Sequence, residues 1–391
     1  MAEKLRRRST GKKGSLLSWF KIILIGVLLL SASSYCLLSR YSSVFSESSS
    51  SANQSFILRI TLTFENDSPQ GRVWNLSAVE KTIGLLMNNS WQTVYLLNTS
   101  YPIYGVHTDV DGNPIALLSF PTSTIHRGEN LTLQIAYRII LKPHSLPVVS
   151  VAQSGTLDEI RGDLKMRYCR ANGPWQVNRD ELRELAFKIA GNETNVLSLL
   201  KKFILWIKHN VHYESQDLPR YPIETLNFKA GDCDDQANLL VTFCRIVGIP
   251  AYLQMGCIYL PQRDSKTVHW DGHWMLMLTK IGWHGWAIVY VPPWGWLPVD
   301  LTFASEILSD PVNAIREAAI ITHAVAQYAN FTETDYVASS RSYREFLLSN
   351  GFKIYEHDAL FEEIEKISEE EEPKLPVFIR LSAHLFFHQT P

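Results

Sequence analysis

The segment Gly231 to Pro250, GDCDDQANLLVTFCRIVGIP, constrains the fold more than any other stretch of the chain. Asp232 is a good N-cap, Asp234 and Asp235 fall in the first turn, and Gly248 with Pro250 beyond it supplies the stop. The body, LLVTFCRIV, is apolar almost all round, so this helix has to be enclosed by other layers. Cys233 then stands at a helix N-terminus. There the macrodipole and free N–H groups stabilise a thiolate and can hold a developing oxyanion. Asp234 and Asp235 push the other way and raise the thiol. A cationic partner is needed, and histidine is the usual one.

A candidate partner follows in HGWAIVYVPPWGWLPVD, from His284 to Asp300. Trp286 to Val291 reads as a strand, Pro292 to Gly295 as a turn and Trp296 to Val299 as the return strand. His284 and Asp300 are nearly symmetric about that turn. An antiparallel pair would set them opposite each other on one face, within about 6 Å. The carboxylate can then fix one ring nitrogen while the other faces the thiolate. Each of these residues alone is more often structural than functional; the combination is far more specific. His269 and His273, each followed by Trp, lie in the preceding stretch LPQRDSKTVHWDGHWMLMLTKIGW and imitate the same pattern. Spacing to Asp300 favours His284. That stretch reads equally as a lid, a substrate wall or a surface strand excursion.

At these residues the chain resembles the transglutaminase-like superfamily. GDCDDQANLLVTFCRIVGIPA, HGW and GWLPVDLT follow that family's order of GxC, H-A-W and D-x-T, and VHYESQDLPRYPIETLNFKAGDC resembles its run into the nucleophile. The resemblance covers about residues 175–305, with Gly285 where the family has Ala. It implies an α+β, papain-like core in which a central nucleophile-bearing helix packs against an antiparallel sheet. It also implies Cys233 as nucleophile, His284 as base and acid, Asp300 as orienter, and acyl transfer from an amide through a thioester.

The N-terminus sets the expected compartment. Residues 1–21 form a basic tail, and Ile22 to Leu38 runs without a charge, long enough to span if Lys21 snorkels. The positive-inside rule leaves the remainder outside the cytoplasm, as a single-pass membrane protein. A cleaved signal peptide with Ser31-Ala32-Ser33 near the cut is the competing reading. Sequons at Asn53, Asn66, Asn75, Asn88, Asn98, Asn130, Asn192 and Asn330 all follow the anchor and are candidate glycosylation sites. Anchor and sequons together resemble archaeal surface members of the superfamily.

A length of 391 residues suggests two or three domains. After the tail (1–21) and anchor (22–38) comes a Ser-rich tether (39–55). Short alternating runs with Gly, Pro and Asn punctuation suggest a β-sandwich over 56–152. The catalytic domain is expected over 157–305 and a helical extension over 306–391, containing the acidic run Glu369 to Glu372.

Composition excludes other classes. Hydrophobic residues at 46% and charged residues at 19% are globular, not disordered. A net charge of −2 gives no field for nucleic acid. Five cysteines are too few for a disulfide scaffold, although Cys169 and Cys257 could pair outside the cell. Cys244 reads as core and Cys36 as part of the membrane segment. Zinc spacing and EF-hand spacing are both absent, so no obligatory metal or other cofactor is expected. The expected partner is a protein or peptide substrate. Two functions compete: an extracytoplasmic thiol acyltransferase or peptidase, and an inactive surface binding or scaffold protein on the same fold. The intact Cys, His and Asp spacing favours the enzyme.

Overall fold

The structure, a computed structural model, describes residues 52–363. The expected basic tail, the span at 22–38, Cys36, most of the tether and the run Glu369 to Glu372 lie outside the described residues. Among the described residues no helix is long and apolar enough to cross a membrane.

One sheet of eight strands organises the chain: β1 (Gln54–Asn66), β2 (Gln92–Thr99), β3 (Asn130–Leu141), β4 (Ala251–His269), β5 (Trp274–Val291), β6 (Gly295–Val299), β7 (Val325–Phe331) and β8 (Phe352–Glu362). Their order is β7-β4-β5-β8-β1-β3-β2, with β6 also on β5. All pairings are antiparallel except β5 with β8, which is parallel. The alternation that predicts strands in the first third is real: Phe56, Leu58, Ile60, Leu62 and Phe64 are the buried face of β1. A smaller sheet, formed by Thr82–Gly84, Pro114–Leu118 and Ile103–Thr108, is tied to β3 by Tyr137, whose hydroxyl donates to the Gly84 carbonyl at 2.8 Å.

Two expectations differ from this arrangement. The strands of 56–152 do not all stand apart from the core: the smaller sheet lies within this segment, but β1, β3 and β2 belong to the shared sheet, because β8 pairs with β1 on one side and β5 on the other. The segment after 305 is not simply a helical extension. It supplies β7 and β8 to the shared sheet, with a helix between them. The reason lies in β8, where Glu356 and Asp358 point inward and are buried. Acids at core positions conceal the period-2 signature of a strand.

Helices cover the sheet around the candidate site: α1 (Asp180–Ala190), α2 (Val196–Asn210), α3 (Cys233–Ile246), α4 (Ala319–Thr322) and α5 (Tyr336–Asn350). Every residue of α3 is buried, as its apolar sequence requires. Its stop is also as read: Gly248 has φ of 87°, a left-handed conformation that suits glycine. The stretch Leu260 to Trp283 is a strand excursion. It forms the far half of the long β4–β5 hairpin.

Candidate active site

The approach to Cys233 is held in place by backbone pairing. Ala230 and Gly231 pair in parallel with His212 and Tyr213. Gly231 then passes so close to the helix that a Cβ there would lie 2.6 Å from Asp235 Cβ. Asp232 takes the N-cap position and Cys233 opens α3, 4% exposed.

The first turn of α3 abuts β5. A Cβ on Gly285 would lie 3.1 Å from Asp234 Cβ and 3.5 Å from its Cα. The residue after Cys233 therefore touches the residue after His284, which accounts for glycine at this position. β5 is also locally open here. One edge pairs with β4 over Trp274–Thr279 and Ile281–Val289, while the other pairs with β8 over Trp274–Thr279 and with β6 over Ala287–Val291. Between Lys280 and Trp286 that second edge carries no strand among the described residues, and His284 lies in this window.

His284 donates through Nε2 to Asp300 Oδ2 at 2.8 Å, and the side chains are 2% and 1% exposed. The two are not directly opposite. The register runs from Val291↔Gly295 to Ala287↔Val299, so its continuation sets Trp286 across from Asp300. His284 reaches the carboxylate diagonally, one same-face position further along. The remaining Asp300 lone pairs are also filled: Oδ1 accepts from Thr302 N, Thr302 Oγ1 and Phe303 N, and Oδ2 accepts from Ala319 N. Burial by itself pushes this carboxyl up. The His284 charge and hydrogen bond, with the backbone donors, outweigh burial and hold it below the usual carboxylate range. With Nε2 committed, Nδ1 is the nitrogen left for a thiol. The imidazole packs between Phe303 and Trp286, at ring separations of 4.6 and 5.7 Å.

The two competing histidines are engaged elsewhere. His269 Nδ1 contacts Asp217 Oδ1 at 2.7 Å, and His273 Nδ1 contacts the Phe352 carbonyl at 2.6 Å. Both lie at the distal end of the hairpin, roughly 35 Å from His284 by strand rise.

Several neighbours had no sequence signal. His323 stacks edge-on to Phe303 at 5.4 Å, and burial lowers its pKa from the ordinary value while the Asp300 charge opposes. Lys208 donates to the Leu301 carbonyl at 2.9 Å, its pKa also lowered by burial. Tyr336, from beyond the core motifs, donates to Asp234 Oδ2 at 2.7 Å. Asp235 Oδ1 accepts from Arg220 N at 2.7 Å. Burial raises the carboxyls of both Asp234 and Asp235. One ligand atom from each of Asp232, Cys233 and Asp234 lies within 4.8 Å of the others, so this is where a soft cation would find donors.

The other predicted positions sort by exposure. Asn53, Asn75, Asn88, Asn98, Asn130 and Asn192 are exposed, and Asn330 is half-buried on β7. Asn66 corrects the expectation: it is 0% exposed and its amide donates to the carbonyls of Arg72 and Ile125, leaving no room for a glycan. Cys169, Cys233, Cys244 and Cys257 are free thiols, so the Cys169–Cys257 pairing is also corrected. Cys169 lies near Cys244 and Arg245 instead.

Comparison with known proteins follows the same residues. Residues 183–301 match the family model of the transglutaminase-like superfamily. A candidate cysteine protease from Cytophaga hutchinsonii is similar at 18% identity over 83% of this chain and 94% of that one, with a TM-score of 0.44. The periplasmic domain of TgpA from Pseudomonas aeruginosa, bound to ethylmercury, is similar at 16% identity over 68% of this chain and 94% of that one, TM-score 0.31. Red sea bream transglutaminase is similar at 10% identity over 64% and 48%, TM-score 0.27. No curated protein matches the sequence. The part of the chain that carries Cys233, His284 and Asp300 is thus a transglutaminase-like domain, spanning residues 183–301.

Proposed function

We propose that the protein is a thiol acyl-transfer enzyme acting on protein or peptide amides, with Cys233 as nucleophile, His284 as acid and base, and Asp300 as orienter. The observation that carries this reading is the buried 2.8 Å bond between His284 Nε2 and Asp300 Oδ2, on a strand that the Cys233 helix touches. A saturated, ionised Asp300 holds Nε2 and so fixes which nitrogen faces the thiol. The Cys233 sulfur would attack the amide carbonyl, forming a C–S bond and an oxyanion met by N–H groups of the α3 N-terminus. His284 would give its proton to the leaving nitrogen as the C–N bond breaks. Water or an amine would then attack the thioester, losing its proton to His284 and releasing the thiol.

In this reading the span at 22–38 holds the enzyme on the extracytoplasmic side of a membrane. Six exposed sequon asparagines support that side, since they are reachable by glycosylation enzymes. The test is mass spectrometry of the purified protein with a labelled amine and a glutamine-containing protein. Adduct, deamidation or cleavage that is lost in Cys233→Ala supports acyl transfer. No product of any kind favours a binding role.

A further inference from the structure

His144 lies just beyond the end of β3 at Leu141, ahead of the matched domain. Both of its ring nitrogens meet backbone carbonyl oxygens: Nδ1 stands 2.9 Å from Lys142 O, and Nε2 stands 2.9 Å from Ile320 O. A carbonyl oxygen can only accept. A neutral imidazole has a single N–H, so one of the two contacts would set lone pair against lone pair. The imidazolium, with two N–H groups, satisfies both. The ring also stacks on Trp91, with centroids 3.9 Å apart and planes 26° apart, and an indole face attracts a cation in that position. The geometry fits the charged ring and not the neutral one.

The carbonyl that His144 takes belongs to α4, and α4 is part of the candidate site. Within that turn Ala318 O and Ala319 O accept from Thr322 N and His323 N, while Ile320 O receives His144. At its other end Ala319 N donates at 3.0 Å to Asp300 Oδ2, the oxygen that also holds His284. Ala318, Ala319 and Ile320 are buried in an apolar cluster with Trp286, and Trp91 and Phe303 pack against the same cluster. Trp91 is fixed in turn. Its carbonyl accepts from Lys142 N at 2.8 Å, and its N–H donates to Asn89 Oδ1 at 2.8 Å. A strand end and a turn from ahead of the matched domain thus grip the short helix that holds Asp300.

We propose that His144 is a positioning residue for the acyl-transfer site: its imidazolium clamps α4 against Asp300, and loss of the ring's second proton loosens that clamp. The proposal rests on the reading of Asp300 as orienter of His284. His144 is exposed, so its proton exchanges with solvent. Deprotonation turns one nitrogen into an acceptor that faces a carbonyl oxygen, and it weakens the stack on Trp91, so the clamp fails as pH rises. The charged and titratable groups on the elements packed against the ring are these. Lys142, on its own segment, sends Nζ to Asn89 O at 3.5 Å, and the turn from Asn89 to Gln92 carries none. Around α4 are Asp300, Glu317, whose Oε2 accepts from Ser305, and His323, whose Nδ1 contacts Thr322 Oγ1. His323 is a second imidazole on the helix, so its titration has to be told apart from that of His144.

The experiment is hydrogen exchange read by mass spectrometry on the full chain, following the peptide that carries Ala319 to Thr322 over about pH 5 to 9, corrected for the intrinsic pH dependence of exchange. NMR follows the His144 ring over the same range, and iodoacetamide measures the alkylation rate of Cys233. In the wild type, protection of α4 should fall roughly three- to tenfold as pH rises, with the midpoint of the His144 ring titration. His144→Phe keeps an aromatic stack but has no donor. It should show the low protection at every pH, alkylate more slowly than wild type by a similar factor at the acid end, and match wild type at the alkaline end. Protection that does not change through the His144 titration would overturn the proposal. So would a fall that persists in His144→Phe and hence belongs to His323, or an alkylation ratio that is equal at both ends. If His144→Phe does not fold, the wild-type exchange profile against the ring titration decides alone. Hydrogen exchange makes no use of Cys233, whereas product formation lost in Cys233→Ala tests acyl transfer itself, so failure of the clamp and failure of that reading show separately.

Discussion

The His284 imidazole and the Asp300 carboxylate, joined at 2.8 Å and almost fully buried, lie on consecutive strands of a hairpin but not in direct register. The carboxylate takes four further donor contacts, so it is locked in position and charged before any substrate arrives. Asp300→Asn should leave the fold intact and lower the alkylation rate of Cys233 near neutral pH by roughly 10²- to 10⁴-fold. A carboxyl held below its unfolded value stabilises the fold above about pH 4, and this is lost as pH falls through the folded value. Acid unfolding of the Asn variant should accordingly be less steep than that of the wild type.

Gly285 and Asp234 make a second, steric prediction. Gly285→Ala would put a Cβ 3.1 Å from Asp234 Cβ, so the first turn of α3 must retreat by a few tenths of an ångström. Thermal unfolding should show a loss of about 1–2 kcal/mol, and Cys233 alkylation should slow with it. Unchanged stability would mean that α3 does not approach β5 this closely.

Glu356 and Asp358 are two buried acids on one face of β8, accepting from the indole N–H groups of Trp274 and Trp283, with Cys257 and Tyr328 nearby. Burial, outweighing the hydrogen bonds from Trp283 and Glu356, pushes Asp358 up to about 7. The unfolded chain loses this proton near pH 4, whereas the folded chain keeps it to about 7. Stability should therefore fall as pH rises through that interval. Asp358→Asn, which can still accept from Trp283, should be more stable than wild type at pH 8 by roughly 1–3 kcal/mol and gain little at pH 4. Urea unfolding at both values checks this; an equal effect at the two would contradict it.

The thiols differ sharply in setting. Burial pushes Cys257 up to about 12 and Cys169 up to about 11, and raises Cys244 further still. Of the four described cysteines, Cys233 should be labelled first and nearly alone by brief alkylation at pH 7, as read by peptide mass spectrometry. Labelling of Cys169 ahead of Cys233 would argue against an activated nucleophile.

What was legible in the sequence was local. Asp232, Gly248 and Pro250 bound a helix by capping and stop signals, and Pro292 to Gly295 mark a turn, so Cys233 on a helix start and His284 near Asp300 could be read directly. The opposite-pair geometry was off by one same-face position because the turn closes on the pair Val291↔Gly295, which centres the hairpin on Pro293, whereas 284 and 300 are symmetric about Pro292. What failed was long-range. The parallel pairing of β5 with β8, the inward acids of β8, the bonds from the backbone N–H groups of Thr332, Glu333 and Thr334 to Asp111 Oδ1, and the Tyr336 bond to Asp234 all join segments distant in sequence. Neither periodicity nor a cap announces such pairs.

Activation of Cys233 by His284 is the step on which the proposed chemistry depends. Its most direct measurement is the pH dependence of Cys233 alkylation in wild type, His284→Ala and His273→Ala. A reactive thiolate is expected near neutral pH in the wild type, kept in His273→Ala and abolished in His284→Ala. If the His273 change removes it and the His284 change does not, the assignment of the base, and the mechanism built on it, is wrong.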